Sequence, residues 1–276
     1  MRCPFPVSIR NPQLDSFCQV APDGVNFVTL AGEIIPPRIE VPCGRCTVCQ
    51  SNRREEWASR MELESRTAAV TYFITLTYED AFYPGELVVS DLQKFFKRLR
   101  YQVHCRYFAC GEYGERFRRG HYHAVVWLQR PVSVDVFTRF IEKCWRFGFT
   151  QVRLADYNCF RYVAKYCIKF IQDAPSGMQK PFAIMSRRPG ISFKYFESIK
   201  DFEHSYILLE SGKRCKLPRY NLEKLEPVEQ VSIKRERLKV AETMSQLSET
   251  ELQLTAINFH RSLERKYLQK YGTAKK

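Results

Sequence analysis

A chain of 276 residues can form one large domain, or one core domain with appendages. Its hydrophobic fraction of 45% supports a packed core, so it is not a disordered basic tail. A net charge of +14 speaks about partners rather than fold and puts nucleic acid first among the polyanions; no window approaches the ~20 apolar residues of a membrane span.

Residues 1–40 are rich in proline and lack clear periodicity, which predicts an irregular arm. The start, MRCPFPVSIR, lacks the apolar stretch of a signal peptide, so the expectation is a soluble protein in a reducing cytosol with mostly free thiols. CGRCTVC then spaces Cys43, Cys46 and Cys49 with two-residue gaps, as zinc ligands can be spaced. A closed zinc site needs a fourth ligand, and Cys3 or Cys18 could supply it only by folding back. The alternative is three reduced thiols beside the start of a helix that runs to about Thr67.

Tyr72–Tyr78, in TYFITLTY, is aromatic and β-branched and reads as a buried strand. Ser90 is placed to cap a helix whose Leu92, Phe95, Phe96 and Leu99 follow helical spacing. CRYFACGEYG and HYHAVVWL are two further strands, and the basic turn GERFRRG between them makes a hairpin. Ser133 is a cap for a helix with Val136, Phe137, Phe140, Ile141, Cys144 and Trp145 on one face. FTQVRLA is a fourth strand, and Asp156 can cap the helix YNCFRYVAKYCIKF. The order strand, helix, strand, strand, helix, strand, helix predicts an α+β fold of split βαβ type, an antiparallel sheet with helices packed on one face. The text is less regular beyond Pro181. From about Pro227 to Tyr271 it is charged, nearly free of proline and glycine, and expected to be helical. The expected organisation is an arm with the cysteine cluster and a helix at 1–68, the sheet domain at 69–225 and a charged tail at 226–276. No Gly-rich loop ending in Lys-Ser/Thr occurs, so the chain lacks the phosphate cradle of an NTP-driven helicase.

Only five histidines are present, and two of them stand two residues apart on the third strand. Residues i and i+2 of a strand share a face, so His121 and His123 project together and Tyr122 projects opposite. Two adjacent imidazoles make half of a metal site. Glu112, on the partner strand, is the natural carboxylate third ligand, and Glu115 is the fallback. Such a mixed set can take Mg²⁺ or Mn²⁺ with a phosphate. The plainer alternative is two hydrogen-bonded strand histidines. In RYVAKYCIKF, Tyr162 and Tyr166 stand at i and i+4, within roughly 40° of each other on the helix. Lys165 and Lys169 lie beside them. Phe160, Val163, Ala164, Cys167 and Ile168 supply a separate core stripe, which leaves the tyrosines on the polar face. A tyrosine hydroxyl can attack phosphorus when nearby positive charge offsets the charge that builds during transfer.

At these residues the sequence resembles the HUH endonucleases, the single-stranded-DNA nickases of rolling-circle replication. The likeness is nearest to replication initiators of the microviruses, in particular the gokushovirus-like branch. FITLTY (Phe73–Tyr78), GHYHAVVW (Gly120–Trp127) and YVAKYCIKF (Tyr162–Phe170) occur in family order, and PCGRCTVC and MSRRPG also look like segments of this branch. The resemblance implies that His121, His123 and a third ligand, taken as Glu112, hold a divalent metal. It implies that one tyrosine attacks the scissile phosphate to leave a 3′-hydroxyl and a 5′-phosphotyrosine, and that the second tyrosine later helps to close the displaced strand into a circle. It further implies a single-stranded DNA origin as substrate, a helicase and a polymerase supplied by the host, and a place in the cytoplasm of the bacterial host cell. FITLTY is assigned no chemistry. Arg116, Arg118 and Arg119 in the turn, with Arg187 and Arg188, are the expected DNA contacts, and zinc at the cysteines would be structural. Two alternatives remain: a non-enzymatic single-stranded-DNA-binding or packaging protein, and a relaxase or transposase with the same chemistry.

Overall fold

The computed structural model describes residues 3–30, 32–114, 117–166, 177–198, 206–210, 212, 214–244 and 249–271. The chain divides into two compact units, Met1–Asn52 with Thr243–Lys276, and Arg53–Glu242.

In the first unit the expected irregular arm contains short strands. β1 (Val7–Arg10) pairs with β5 (Arg38–Val41), while β2 (Gln19–Val20), β3 (Phe27–Val28) and β4 (Ile34–Ile35) form a three-stranded meander. Strands of two to four residues show too little alternation to read from sequence. Side-chain turns built on Asp15 and Asp23 hold their ends: Phe17 N donates to Asp15 Oδ1 at 2.9 Å and Asn26 N to Asp23 Oδ1 at 2.8 Å. α1 (Thr47–Ser65) starts in this unit and continues into the next. The expected helical tail is α7 (Pro227–Met244) and α8 (Glu249–Tyr271), which follow the sheet domain and α6 (Arg219–Leu222).

The second unit carries the expected order of elements: β6 (Val70–Tyr78), α2 (Val89–Gln102), β7 (Cys105–Tyr113), β8 (Gly120–Leu128), α3 (Val134–Cys144), β9 (Gly148–Leu154) and α4 (Tyr157–Tyr166). β10 (Phe182–Met185), α5 (Phe193–Ser198), β11 (Tyr206–Leu208) and β12 (Arg214–Lys216) follow. The five-stranded sheet has the order β10-β7-β8-β6-β9, and every adjacent pair is antiparallel. β6 and β7 are therefore parallel to each other with β8 between them, which is the split βαβ arrangement.

Even-numbered residues of β6 and β8 face α2 and α3. Tyr72, Ile74, Leu76, Tyr122, Ala124 and Val126 pack there with Leu92, Phe95, Phe96, Leu99, Phe137 and Ile141. The opposite face also carries helices: Phe73, Val125, Trp127, Phe108 and Cys110 pack against Ala58 and Met61 of α1 and Cys159, Phe160, Val163 and Ala164 of α4. This double cover explains why β7 is buried along its whole length and β8 along all but His121. Gly148 opens β9 at φ +148°, where a Cβ would fall 2.2 Å from Glu79 N, so only glycine fits this approach to β6.

Ser133 caps α3 through Val136 N at 3.5 Å, and Asp156 caps α4 through Cys159 N at 2.8 Å, both as expected. Ser90 does not cap α2. That helix begins one residue earlier, at Val89, after Val88, which offers no side-chain cap. A tertiary partner replaces it: the buried Tyr122 hydroxyl accepts from Val88 N at 2.8 Å and lies 3.1 Å from Val88 O. Among the described residues no helix is long and apolar enough to cross a membrane, and the described cysteines are all free thiols.

Candidate active site

β7 and β8 pair so that Glu112 stands directly opposite His121, and Cys110 opposite His123. The period of two then puts Glu112, His121 and His123 on the face covered by α4. Both imidazoles turn Nε2 toward one oxygen: Glu112 Oε1 lies 3.1 Å from His121 Nε2 and 3.0 Å from His123 Nε2. The other ring nitrogens are occupied as well. His121 Nδ1 lies 3.2 Å from the Arg119 carbonyl oxygen, which can only accept, and His123 Nδ1 lies 3.0 Å from Thr75 Oγ1. These partners fix each ring so that Nε2 faces the site, as second partners do for metal-binding histidines. The ligand atoms of all three residues lie within 4.8 Å of one another, close enough for one ion to reach them all.

α4 brings Tyr162 to this cluster. Phe160, Val163 and Ala164 anchor the helix on the sheet as the stripe predicts, and Tyr162 stays 39% exposed beside them. Its hydroxyl donates to Glu112 Oε1 at 3.0 Å and lies 3.3 Å from His123 Nε2. Phe73 stacks on the His123 ring at 5.5 Å and meets the Tyr162 ring edge-on at 6.1 Å. The strand assigned no chemistry thus supplies two supporting side chains, Phe73 and Thr75. Strand alternation puts both on one face, but their place beside the histidines depends on the pairing of β6 with β8, across 48 residues for Thr75 and His123.

The two imidazoles feel different fields. Burial works against a charge on His121, but its hydrogen bond to Glu112 and the carboxylate charge outweigh that, and its pKa is raised. Burial lowers the pKa of His123, and the charges of His121 and Arg153 add to this against the pull of Glu112.

Lys165 is half-buried in the last turn of α4. Tyr166 ends that helix, and its side chain lies outside the described ones, as do Glu115, Arg116, Cys167, Ile168, Lys169 and Phe170. Arg118 is exposed with φ 51°, in the turn. Arg119 is tied inward: it pairs with Asp80, donates to the Tyr78 carbonyl at 2.7 Å and lies over the Tyr83 ring at 4.6 Å. Arg187 and Arg188 are exposed and line an open cleft of about 680 Å³ together with Arg100, Lys194 and Ser186, beside the start of β7.

In the first unit Cys43, Cys46 and Cys49 are brought together, and the residue that joins them is Cys3. Cys18 instead turns to Asp15 Oδ1 at 3.3 Å.

The fold is that of a split βαβ protein with a two-histidine, one-carboxylate, tyrosine site. Residues 71–171 match the family model described as replication-associated protein ORF2 or gene 2 protein, and this stretch holds all three of FITLTY, GHYHAVVW and YVAKYCIKF. The chain is similar to replication-associated protein VP4 of Bdellovibrio phage phiMH2K, 27% identical over 205 residues, covering 65% of each chain. It is similar to replication-associated protein ORF2 of Spiroplasma virus 4, 26% identical over 212 residues, covering 65% of this chain and 66% of that one. A third relative is replication-associated protein ORF4 of Chlamydia phage 1, 25% identical over 209 residues, covering 65% of this chain and 52% of that one. The chain thus matches between about half and two thirds of the length of these relatives. The resemblance to phage replication proteins stated from the sequence is borne out by these matches.

Proposed function

We propose that the chain initiates rolling-circle replication of a phage genome by nicking single-stranded DNA at an origin, with Tyr162 as the first nucleophile. The observation that carries this reading is the Tyr162 hydroxyl, held within 3.3 Å of both Glu112 and His123. Similarity to phage replication-associated proteins supports it.

The donor set fits a divalent ion, because two imidazole nitrogens and a carboxylate oxygen converge while their second atoms are held elsewhere. Glu112, His121 and His123 would hold Mg²⁺ or Mn²⁺, which would polarise the scissile phosphate and offset its developing charge. The chain's own residues do the rest. Val163 and Ala164 pin α4 so that the Tyr162 oxygen faces the site. That oxygen forms the new bond to phosphorus as the bond from phosphorus to the 3′-oxygen breaks. The 3′-oxygen keeps the electron pair and takes up a proton, and the phenol proton leaves along its hydrogen bond to Glu112. The product is a 5′-phosphotyrosine and a free 3′-hydroxyl, so rejoining needs no ATP. Tyr166, one turn on, is placed in sequence to take the second cut, which lets the new 3′-hydroxyl close the displaced strand. A host helicase and a host polymerase in the bacterial cytoplasm would act on the nicked strand. Arg187 and Arg188, with Arg100 and Lys194 in the same cleft, would contact phosphates, and Lys165 and Lys169 would steady the transferred group.

The test is a covalent adduct that survives boiling in detergent, formed on single-stranded origin DNA with Mn²⁺. Tyr162→Phe is expected to abolish the first adduct, and Tyr166→Phe to retain it. Tight, salt-sensitive binding with no adduct on any origin would favour the packaging-protein reading instead. The hydroxyl of Thr75 gives a milder prediction. Thr75→Val is expected to weaken Mn²⁺ binding by about tenfold to a hundredfold, because the His123 ring loses its second partner. Titration calorimetry on the unreacted protein reads this directly.

A further inference from the structure

We propose that Cys3, Cys43, Cys46 and Cys49 form a four-thiolate site for a single Zn²⁺, and that this ion folds the N-terminal part of the chain. The site stands apart from the nicking chemistry and does not depend on it. Three observations carry it.

The first is spacing in three dimensions. All four sulfurs lie within 4.8 Å of one another. Cys3 Sγ is 3.5 Å from Cys43 Sγ and 3.8 Å from Cys46 Sγ, and Cys43 Sγ is 4.0 Å from Cys49 Sγ. A tetrahedral zinc site with Zn–S near 2.3 Å requires edges of about 3.8 Å between sulfurs. A disulfide would require about 2.05 Å. The sulfurs are therefore arranged around a point rather than in bonded pairs. A cluster of several irons would hold its thiolates further apart than one ion does.

The second is the backbone. Cys43 N donates to Cys3 Sγ, Cys46 N to Cys43 Sγ and Cys49 N to Cys46 Sγ, each at 3.4 Å. Such donors stabilise the negative charge that four thiolates bring to a divalent ion. Gly44, at φ +73°, allows the tight turn that lets Cys43 and Cys46 converge. The last ligand, Cys49, stands in the first turn of α1, so the site joins the segment carrying Cys3 to the start of that helix.

The third is the poverty of the surrounding core. β1 and β2 are exposed along their whole length, and β5 alternates only between exposed and half-buried positions. Among the described residues before α1, the buried hydrophobic side chains are Cys3, Ala21 and Ile35. A segment that buries so little cannot offset its conformational entropy by burial alone, and a structural metal supplies free energy of folding in such cases. Cys3 is buried at 7% exposure although it stands near the chain start, a place that a lone thiol has no reason to occupy.

The experiment uses the full chain, expressed with zinc in the medium and dialysed into Mg²⁺ without zinc. Metal analysis by plasma emission is expected to find one zinc per chain in the wild type and in Cys18→Ser, and almost none in Cys3→Ser or Cys46→Ser. Co²⁺ substitution is expected to give the visible bands of a tetrahedral four-thiolate site. Because the serine variants can lose fold together with metal, a second measurement removes zinc from the wild type with a thiol reagent and chelator. Proteolytic sites should then open within residues 3–45, and reduction with added zinc should close them. Full zinc content in Cys3→Ser, iron in place of zinc, or a zinc-free chain with unchanged proteolysis would each overturn the proposal.

Discussion

A His123→Ala variant is expected to lose origin cleavage by roughly a thousandfold or more while still binding DNA. His123 is the side chain on which the site's parts meet. Its Nε2 lies 3.0 Å from Glu112 and 3.3 Å from Tyr162, its Nδ1 lies 3.0 Å from Thr75, and its ring is stacked on Phe73. Removing it takes one of three donors from the ion and leaves Tyr162 without one of its two polar neighbours. A thousandfold loss corresponds to about 4 kcal/mol of transition-state stabilisation, within the several kcal/mol that a metal on a phosphoryl oxygen supplies. The measurement is single-turnover nicking of labelled single-stranded DNA in Mn²⁺, with binding followed at the same salt. Raising Mn²⁺ should recover part of the rate if the loss is one of affinity, and none if Tyr162 has lost its position. Cleavage at the wild-type rate would remove the histidine pair from the chemistry and return it to the status of ordinary strand residues.

Much of this site could be read before the fold was known, because its parts are local. His121 and His123 share a face by the period of a strand, and Glu112 lies across a hairpin turn of six residues from them. Tyr162 could be set apart from the core because Phe160, Val163 and Ala164 already account for the buried side of its helix. What escaped depends on contacts between distant segments. Thr75 and Phe73 matter only because β6 lies against β8, and nothing in FITLTY shows which strand it will pair with. Cys3 completes the cysteine site from 40 residues away, where proline and short strands hide any pattern. The cap of α2 was misplaced for the same reason: Ser90 has the right chemistry, but the phenol of Tyr122, 34 residues on, had already engaged Val88. The second face of the sheet was hidden because α1 shows little amphipathic pattern, although it buries Ala58 and Met61 there.

The largest stability effect is expected at a buried ion pair outside the site. Glu64, on α1, is 1% exposed, and its carboxylate accepts from Arg106 of β7 and from Ser192 N at 2.6 Å. Arg106 reaches on to the carbonyls of Pro189 and Gly190 at 3.0 and 3.1 Å, and Arg60 of α1 donates to Ile191 O at 3.0 Å. The pair therefore clamps the segment that follows Arg187 and Arg188 against α1 and β7. Glu64→Ala would strand a buried guanidinium and an amide, and breaking such a pair costs about 3–5 kcal/mol. For a unit of this size each kcal/mol shifts Tm by about 2–4 °C, so a fall of about 6–20 °C is expected in a thermal scan. The double variant Glu64→Leu with Arg106→Met separates charge from packing. It should recover much of the loss, since an apolar pair of similar volume is often as stable as a buried ion pair. It would not restore the hold on the Pro189 and Gly190 carbonyls. The double variant is thus expected to melt near the wild type yet bind single-stranded DNA more weakly, through looser Arg187 and Arg188. Wild-type DNA affinity at matched salt in that variant would show that the clamp serves stability alone.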